Sequence, residues 1–238
     1  MTLFVYAALG AFFFLFPMNL IQIQNYSATS AGAASLPMIF LVFVLSRWSG
    51  GLLARHGPRA PLTIGPLTLA AGFALFAIRS VSASYWSGPF PGFLLLGFGL
   101  AITVAPLTTV VMGSVVQDRA GIASGINNAV ARVAGVLAVA VLGIVMVAAF
   151  SSSLGASITS LHLDPSVVRE LQSNVARLGA LDLPPNLDPQ VAAKVRDAIS
   201  HAFLFGFRII MLVCAGLAIL SSAVAQRMIR ARDAGTGY

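Results

Sequence analysis

Ser124, Asn128 and Arg132 recur at a spacing of four within an apolar stretch, which puts them on one face of a helix. A hydroxyl, an amide and a guanidinium in line, with Asn127 beside them, could hold the polar part of a passing solute. If that helix opens near Ile122, Arg132 lies about ten residues in, roughly 15 Å along the axis. An arginine at such depth either faces a cavity or the bundle interior, or it snorkels to the nearer interface or hydrogen-bonds Asn128. Asn19 and Gln22 form a second polar set near the end of another apolar run. They read as substrate-path groups or as partners in interhelical hydrogen bonds.

Catalysis finds no comparable set of residues. Of the seven acidic residues, Asp164, Glu170, Asp182, Asp188 and Asp197 lie between Ser151 and Ser200, with Asp118 in a short loop and Asp233 in the tail. No predicted membrane segment therefore holds a carboxylate, although proton- and sodium-coupled carriers commonly use one there. His56, His162 and His201 fall at segment boundaries or in the polar stretch, and the single Cys214 has no partner. No nucleophile with a matching base, metal-ligand cluster or phosphate-cradling glycine loop is present. The chain is expected to be no enzyme and to use no metal and no cofactor.

The elements that must carry these residues are membrane helices. Of 238 residues 58% are hydrophobic and 9% charged, with a mean hydropathy of +0.92, whereas soluble domains carry about 25% charged residues. So much apolar surface needs the bilayer as solvent. Six stretches reach the length of about 20 residues that spans a hydrocarbon core. They run from Leu3 to Ile23, Ala33 to Leu53, Leu62 to Ile78, Gly88 to Val116, Ile122 to Phe150 and His201 to Ala225. The first lacks the basic start of a signal peptide and its apolar run is too long for one. Pro17, Pro37, Pro66, Pro89, Pro91 and Pro106 fall in or beside these stretches and predict kinks. The reading is an all-α membrane protein whose six transmembrane helices form one half-bundle. Residues 1–150 supply five helices, 151–200 an external loop, 201–226 the sixth helix and 227–238 a cytoplasmic tail.

The net charge of +7 and pI near 10.8 do not point to nucleic acid, because the basic residues are scattered and lack interleaved aromatics. They mark orientation instead. Arg55, His56, Arg59, Arg119, Arg227, Arg230 and Arg232 occupy connections on one side, while the opposite ones carry no charge or only Arg79. Both termini should then be cytoplasmic. The 151–200 segment would lie outside, with a capped amphipathic helix at Asp164-Pro165 and a second opened by Asp188-Pro189, separated by Pro184-Pro185. A lid or spacer is the reading for this segment. Gly121, Gly125 and Gly135 would allow another helix to come close.

The run from Gly50 through Gly51, Leu52, Leu53, Ala54, Arg55, His56, Gly57 and Pro58 to Arg59 resembles the cytoplasmic-loop signature of the major facilitator superfamily. Two further stretches are similar to its fourteen-helix drug:proton antiporter branch: Asn25 to Gly32 with Leu36-Pro37, and Gly121 to Asn128. The resemblance covers nearly the whole chain and implies the last six of fourteen helices. It implies a cytoplasmic gate at Gly50, Arg55, Gly57 and Arg59, in which Ala54 replaces the usual Asp. It also implies coupling acids in an N-terminal half, which accounts for the absent membrane carboxylate.

The expected function is therefore the C-terminal half of a proton-coupled multidrug or small-molecule efflux transporter in the cell (plasma or inner) membrane, working by alternating access. Expected partners are the lipid bilayer, an N-terminal half or a second copy in a homodimer, and an amphipathic small-molecule substrate. Three helices followed by three is the count of an inverted repeat. Because Met1 leads almost at once into a membrane helix, a truncated gene, a split transporter and a fragment are all open. A membrane-embedded receptor or regulator using the external loop, and an inactive remnant, are the alternatives.

Overall fold

The computed structural model describes residues 1–78, 84–161, 163–181, 183 and 187–229, with residues 50, 52–56 and 160 described by backbone alone. Arg79, His162, Asp182, Pro184, Pro185, Arg230, Arg232 and Asp233 lie outside the described residues.

Long apolar runs in a bilayer must satisfy every backbone group internally, and helices do so. Among the described residues every regular element is helical. Helix α1 (Thr2–Met18) runs on through a single π turn, Asn19–Ile23, where Pro17 has already removed one N–H from the ladder. The short α2 (Ala28–Ala33) starts at Ser27, whose Oγ accepts from the Ser30 amide at 3.1 Å, the usual N-cap device. Helix α3 (Leu36–His56) ends against Gly57, which turns the chain into α4 (Arg59–Ile78) at φ +68; glycine adopts that left-handed conformation without steric cost. Pro89 opens α5 (Pro89–Gly113), and a 3-10 turn, Gln117–Arg119, leads into α6 (Ala120–Ser160). Then follow α7 (Pro165–Ser173), a 3-10 segment Val175–Ala180, and α8 (Pro189–Met228).

Among the described residues six helices are long and apolar enough to cross a membrane, so the fold is an all-α membrane half-bundle. The polar 151–200 stretch is not one loop, however. α6 continues to Ser160, and the helix expected to open separately at Asp188-Pro189 is the start of α8, unbroken to Met228. The short amphipathic helix that does stand alone is α7. A helix of 41 residues is about 60 Å long at 1.5 Å per residue, about twice the roughly 30 Å hydrocarbon core. Hydropathy marks where the bilayer ends. It does not mark where the helix ends, since helical hydrogen bonds form in water as well as in lipid. The projecting parts build a cap with its own apolar interior, in which Leu154, Ile158, Leu171, Leu178, Val195 and Ile199 are buried.

Within the bundle α1 packs on α6 and α8, α8 on α4 and α6, α4 on α5, and α5 on α3. Exchanging the first three spans with the last three maps α1·α6 onto α5·α3 and α4·α5 onto α8·α1, and returns α4·α8 to itself. Five of the six pairings thus follow the pseudo-two-fold pattern of an inverted repeat; α6·α8 does not, since its counterpart α3·α4 is hardly packed. Lipid is as apolar as leucine, so close van der Waals fit has to hold these pairs together. The α4·α5 seam interlocks through glycines spaced by seven: Gly72 receives Leu96, Gly99 receives Leu69, Gly65 receives Thr103 and Gly92 receives Phe76. Phe12 and Phe16 of α1 meet Phe76 and Phe93 edge-on or tilted where α1 crosses that seam, with ring centroids 5.1 Å apart for Phe12 and Phe76 and 5.0 Å for Phe16 and Phe93. Pairs of this kind add about 0.5–1.5 kcal/mol each beyond area burial.

Candidate functional site

One end of the bundle gathers Met1, the α3/α4 turn, the start of α6 and the end of α8. The Thr2 hydroxyl donates to Asn127 Oδ1 at 2.7 Å, the Ser221 hydroxyl to the Met1 carbonyl at 3.5 Å and the Ser222 hydroxyl to the Thr63 carbonyl at 3.0 Å. Here Arg59 and Arg119 are exposed and Gly57 makes the turn, while Gly50 and Arg55 belong to α3 and are described by backbone alone.

Along α6 a buried row steps by four through Ala134, Ala138, Leu142, Met146 and Phe150. Asn128 and Arg132 fall on the opposite side, and both are exposed, with Ser124 half-buried one turn earlier. The row therefore points out of this six-helix bundle, away from its interior. Gly121 and Gly125 on the same turns have nothing within reach of an added Cβ. Gly135, by contrast, lies at the α1·α6 crossing, where a Cβ on Gly10 would stand 2.7 Å from the Gly135 Cα. Asn127 leaves the row to line a cleft of about 330 Å³ with Thr2, Ser114, Arg119 and apolar Val111, Ile122 and Ile126. Its walls are apolar and its rim offers one guanidinium and a few hydroxyl and amide groups. Such a cleft accepts the apolar body of a small molecule and orients its polar edge.

Asn19 and Gln22 sit at the other end, in the π turn that closes α1, so the structure does not bring them together with the α6 row. Asn19 is 2% exposed, and its Oδ1 accepts from Gln24 Nε2 at 2.9 Å. That bond fixes which amide atom points where. Asn19 Nδ2 and Gln22 Oε1 are buried and have no hydrogen-bond partner, a loss of about 1–3 kcal/mol for each orphaned group. Single π turns recur at functional sites. The 3-10 segment of the cap lies over this turn. A Cβ on Gly179 would stand 2.8 Å from Ile23 Cδ1 and 3.0 Å from Gln22 Cβ. The preceding Leu178 is 5% exposed and adopts φ 55, ψ −124, a strain of about 1–3 kcal/mol for a residue other than glycine.

Two arginines within apolar stretches escaped the sequence reading. Arg47 in α3 and Arg208 in α8 are both exposed. The signal was a lone cation inside a predicted span.

A six-helix half-bundle with a polar row on its outer face and an apolar cleft at one end defines an all-α membrane protein. Residues 1–139 match the Major Facilitator Superfamily, and the chain belongs to that family. The Tetracenomycin C resistance and export protein of Streptomyces glaucescens is 27% identical over 228 residues, which cover 94% of this chain and 42% of that protein. The Multidrug resistance protein Stp of Mycobacterium tuberculosis is 29% identical over 201 residues, 81% of this chain and 36% of that protein. The Lincomycin resistance protein of Streptomyces lincolnensis is 30% identical over 143 residues, 59% of this chain and 29% of that protein. The chain spans well under half the length of these relatives.

Proposed function

We propose that the six helices act as the C-terminal half of a proton-coupled efflux transporter for amphipathic small molecules, working by alternating access in the cell (plasma or inner) membrane with both termini cytoplasmic. The observation that carries the reading is the outward Ser124, Asn128 and Arg132 row on α6. A guanidinium facing hydrocarbon is costly. Facing a second half-bundle it lines a shared cavity. The spans Ala28–Ser49 and Gln117–Thr159, which contain most of α3 and α6, are also the least covered, with 17% and 28% of an apolar 18-residue stretch buried against 44–56% for the other four. They are the faces on which an N-terminal half or a second copy would dock, and the outward Arg47 and Arg132 suit a partner carrying carboxylates. The relatives are named for resistance to drugs, and one of them for export, which supports the cargo class. The apolar cleft at the Asn127 end would admit cargo from the cytoplasm, and the turn at Gly50, Arg55, Gly57 and Arg59 would close that side.

The test is efflux of a fluorescent amphiphile from proteoliposomes under an imposed proton gradient, with this chain alone and with a candidate N-terminal half. Flux only with both halves, reduced at least tenfold by Arg132→Ala, is expected. Flux from the chain alone would overturn the need for a carboxylate-bearing half, and no flux in either case would overturn the transport reading.

A further inference from the structure

The opposite end of α1 carries an arrangement that the α6 row does not use. Asn19 presents an unpartnered donor and Gln22 an unpartnered acceptor, both buried and three residues apart in one π turn. A buried polar atom without a partner calls for one absent from the chain itself. A bare anion would suit Asn19 Nδ2 and be repelled by Gln22 Oε1, and a bare cation would meet the reverse. What satisfies an unpaired donor and an unpaired acceptor in one turn is a neutral group that does both, such as a hydroxyl or a carboxamide.

The cap closes over this turn. Gly179 contacts Gln22 and Ile23 so closely that a side chain there would collide with both. The segment is held down by the buried Leu178, whose left-handed backbone is relaxed if the segment lifts. A strained, anchored stretch over an unsatisfied polar pair has the construction of a lid.

We infer that Asn19 and Gln22 form a second binding site, specific for the neutral hydroxyl or carboxamide of an amphipathic molecule, and that Val175–Ala180 is the lid that closes it. The inference rests on the transport reading only in taking the occupant to be cargo. A buried water offers the same chemistry, and the test separates the two.

Binding to the whole chain in detergent is measured with 2-naphthol and with 2-methoxynaphthalene, which differ in the hydroxyl alone. The site predicts at least tenfold tighter, saturable binding of 2-naphthol, an advantage lost in Asn19→Leu and in Gln22→Leu and kept in Thr109→Ala, an exposed hydroxyl on α5. Equal binding of the two probes, or an advantage that survives both leucine variants, overturns the ligand assignment and leaves the amides to water.

The lid is tested apart from any ligand or flux by labelling a single cysteine, Gln22→Cys in a Cys214→Ala background, with an impermeant maleimide. Slow labelling is expected while the segment is closed. Leu178→Ala, which removes the buried anchor and keeps the positive-φ strain, should raise that labelling at least fivefold. Free labelling before Leu178 is changed, or labelling that Leu178→Ala leaves unchanged, overturns the lid. If transport fails while both readouts hold, it is the efflux reading that falls.

Discussion

The α4·α5 seam and the outer face of α6 both carry paired glycines, yet these meet opposite surroundings. In the seam Gly65, Gly72, Gly92 and Gly99 are filled by Thr103, Leu96, Phe76 and Leu69. On α6 Gly121 and Gly125 face open space beside a serine, an asparagine and an arginine. A glycine that is filled by its own chain is a packing device. A glycine left empty beside polar groups on a membrane helix leaves room for another helix to come close. The contrast separates what holds this half together from what would hold it to a partner.

The strongest way to break the contrast is in the seam. Gly99→Leu forces a side chain to within 2.8 Å of the Leu69 backbone N, and overpacking of this kind costs about 1–3 kcal/mol or more. Thermal unfolding in detergent should show a large fall in Tm. At the α1·α6 crossing the two partners are unequal. Gly10→Ala drives a Cβ to 2.7 Å from the Gly135 backbone, whereas Gly135→Ala finds its nearest atoms at 3.9 Å. The first should cost about 1–3 kcal/mol, and the second less than about 0.5 kcal/mol. Equal effects would refute the crossing geometry.

On the α6 face the sign reverses. Gly121→Ala and Gly125→Ala fill nothing and reduce the freedom of the unfolded chain, so each should stabilise the isolated half by about 0.4–1 kcal/mol. The same changes should weaken its association with a candidate N-terminal half, read by co-purification. A loss of stability in the isolated chain would mean that this face already has an intramolecular partner.

The smallest effect belongs to the cap. Hydrogen bonds from the Ser166 side chain at 2.5 Å and the Ser166 backbone amide at 2.8 Å hold the Asp164 carboxyl below its ordinary value. A lowered folded value means that this capping is fully present above the ordinary carboxylate value, near pH 4, and is lost as pH falls through the lowered one. Asp164→Ala, or acid, should speed amide exchange at the start of α7 and leave the membrane spans untouched.

Much of this was legible in the residues. Apolar runs of about 20 residues are forced to be helices by the bilayer, so six spans could be counted, and Asp-Pro at 164–165 marks a helix start by local chemistry alone. Gly57 and Pro89 punctuate the chain for equally local reasons. Asn19 and Gln22 could be singled out as amides in an apolar run, but their unpartnered atoms could not be foreseen. The extent of α6 and α8 was not legible either, because polarity ends a membrane span without ending a helix.

Sequence by itself determined the solvent, the class of element and the positions at which a polar or small residue must be accounted for. These follow from transfer free energies and backbone chemistry that act residue by residue. Only the tertiary structure decided which glycines are filled, that Ser124, Asn128 and Arg132 turn outward, that Asn127 joins a cleft with Arg119, and that Gly179 comes to lie on Gln22 across more than 150 residues of chain. Those outcomes depend on how helices distant in sequence cross one another, and helical periodicity gives each helix its faces without saying which neighbour will meet them.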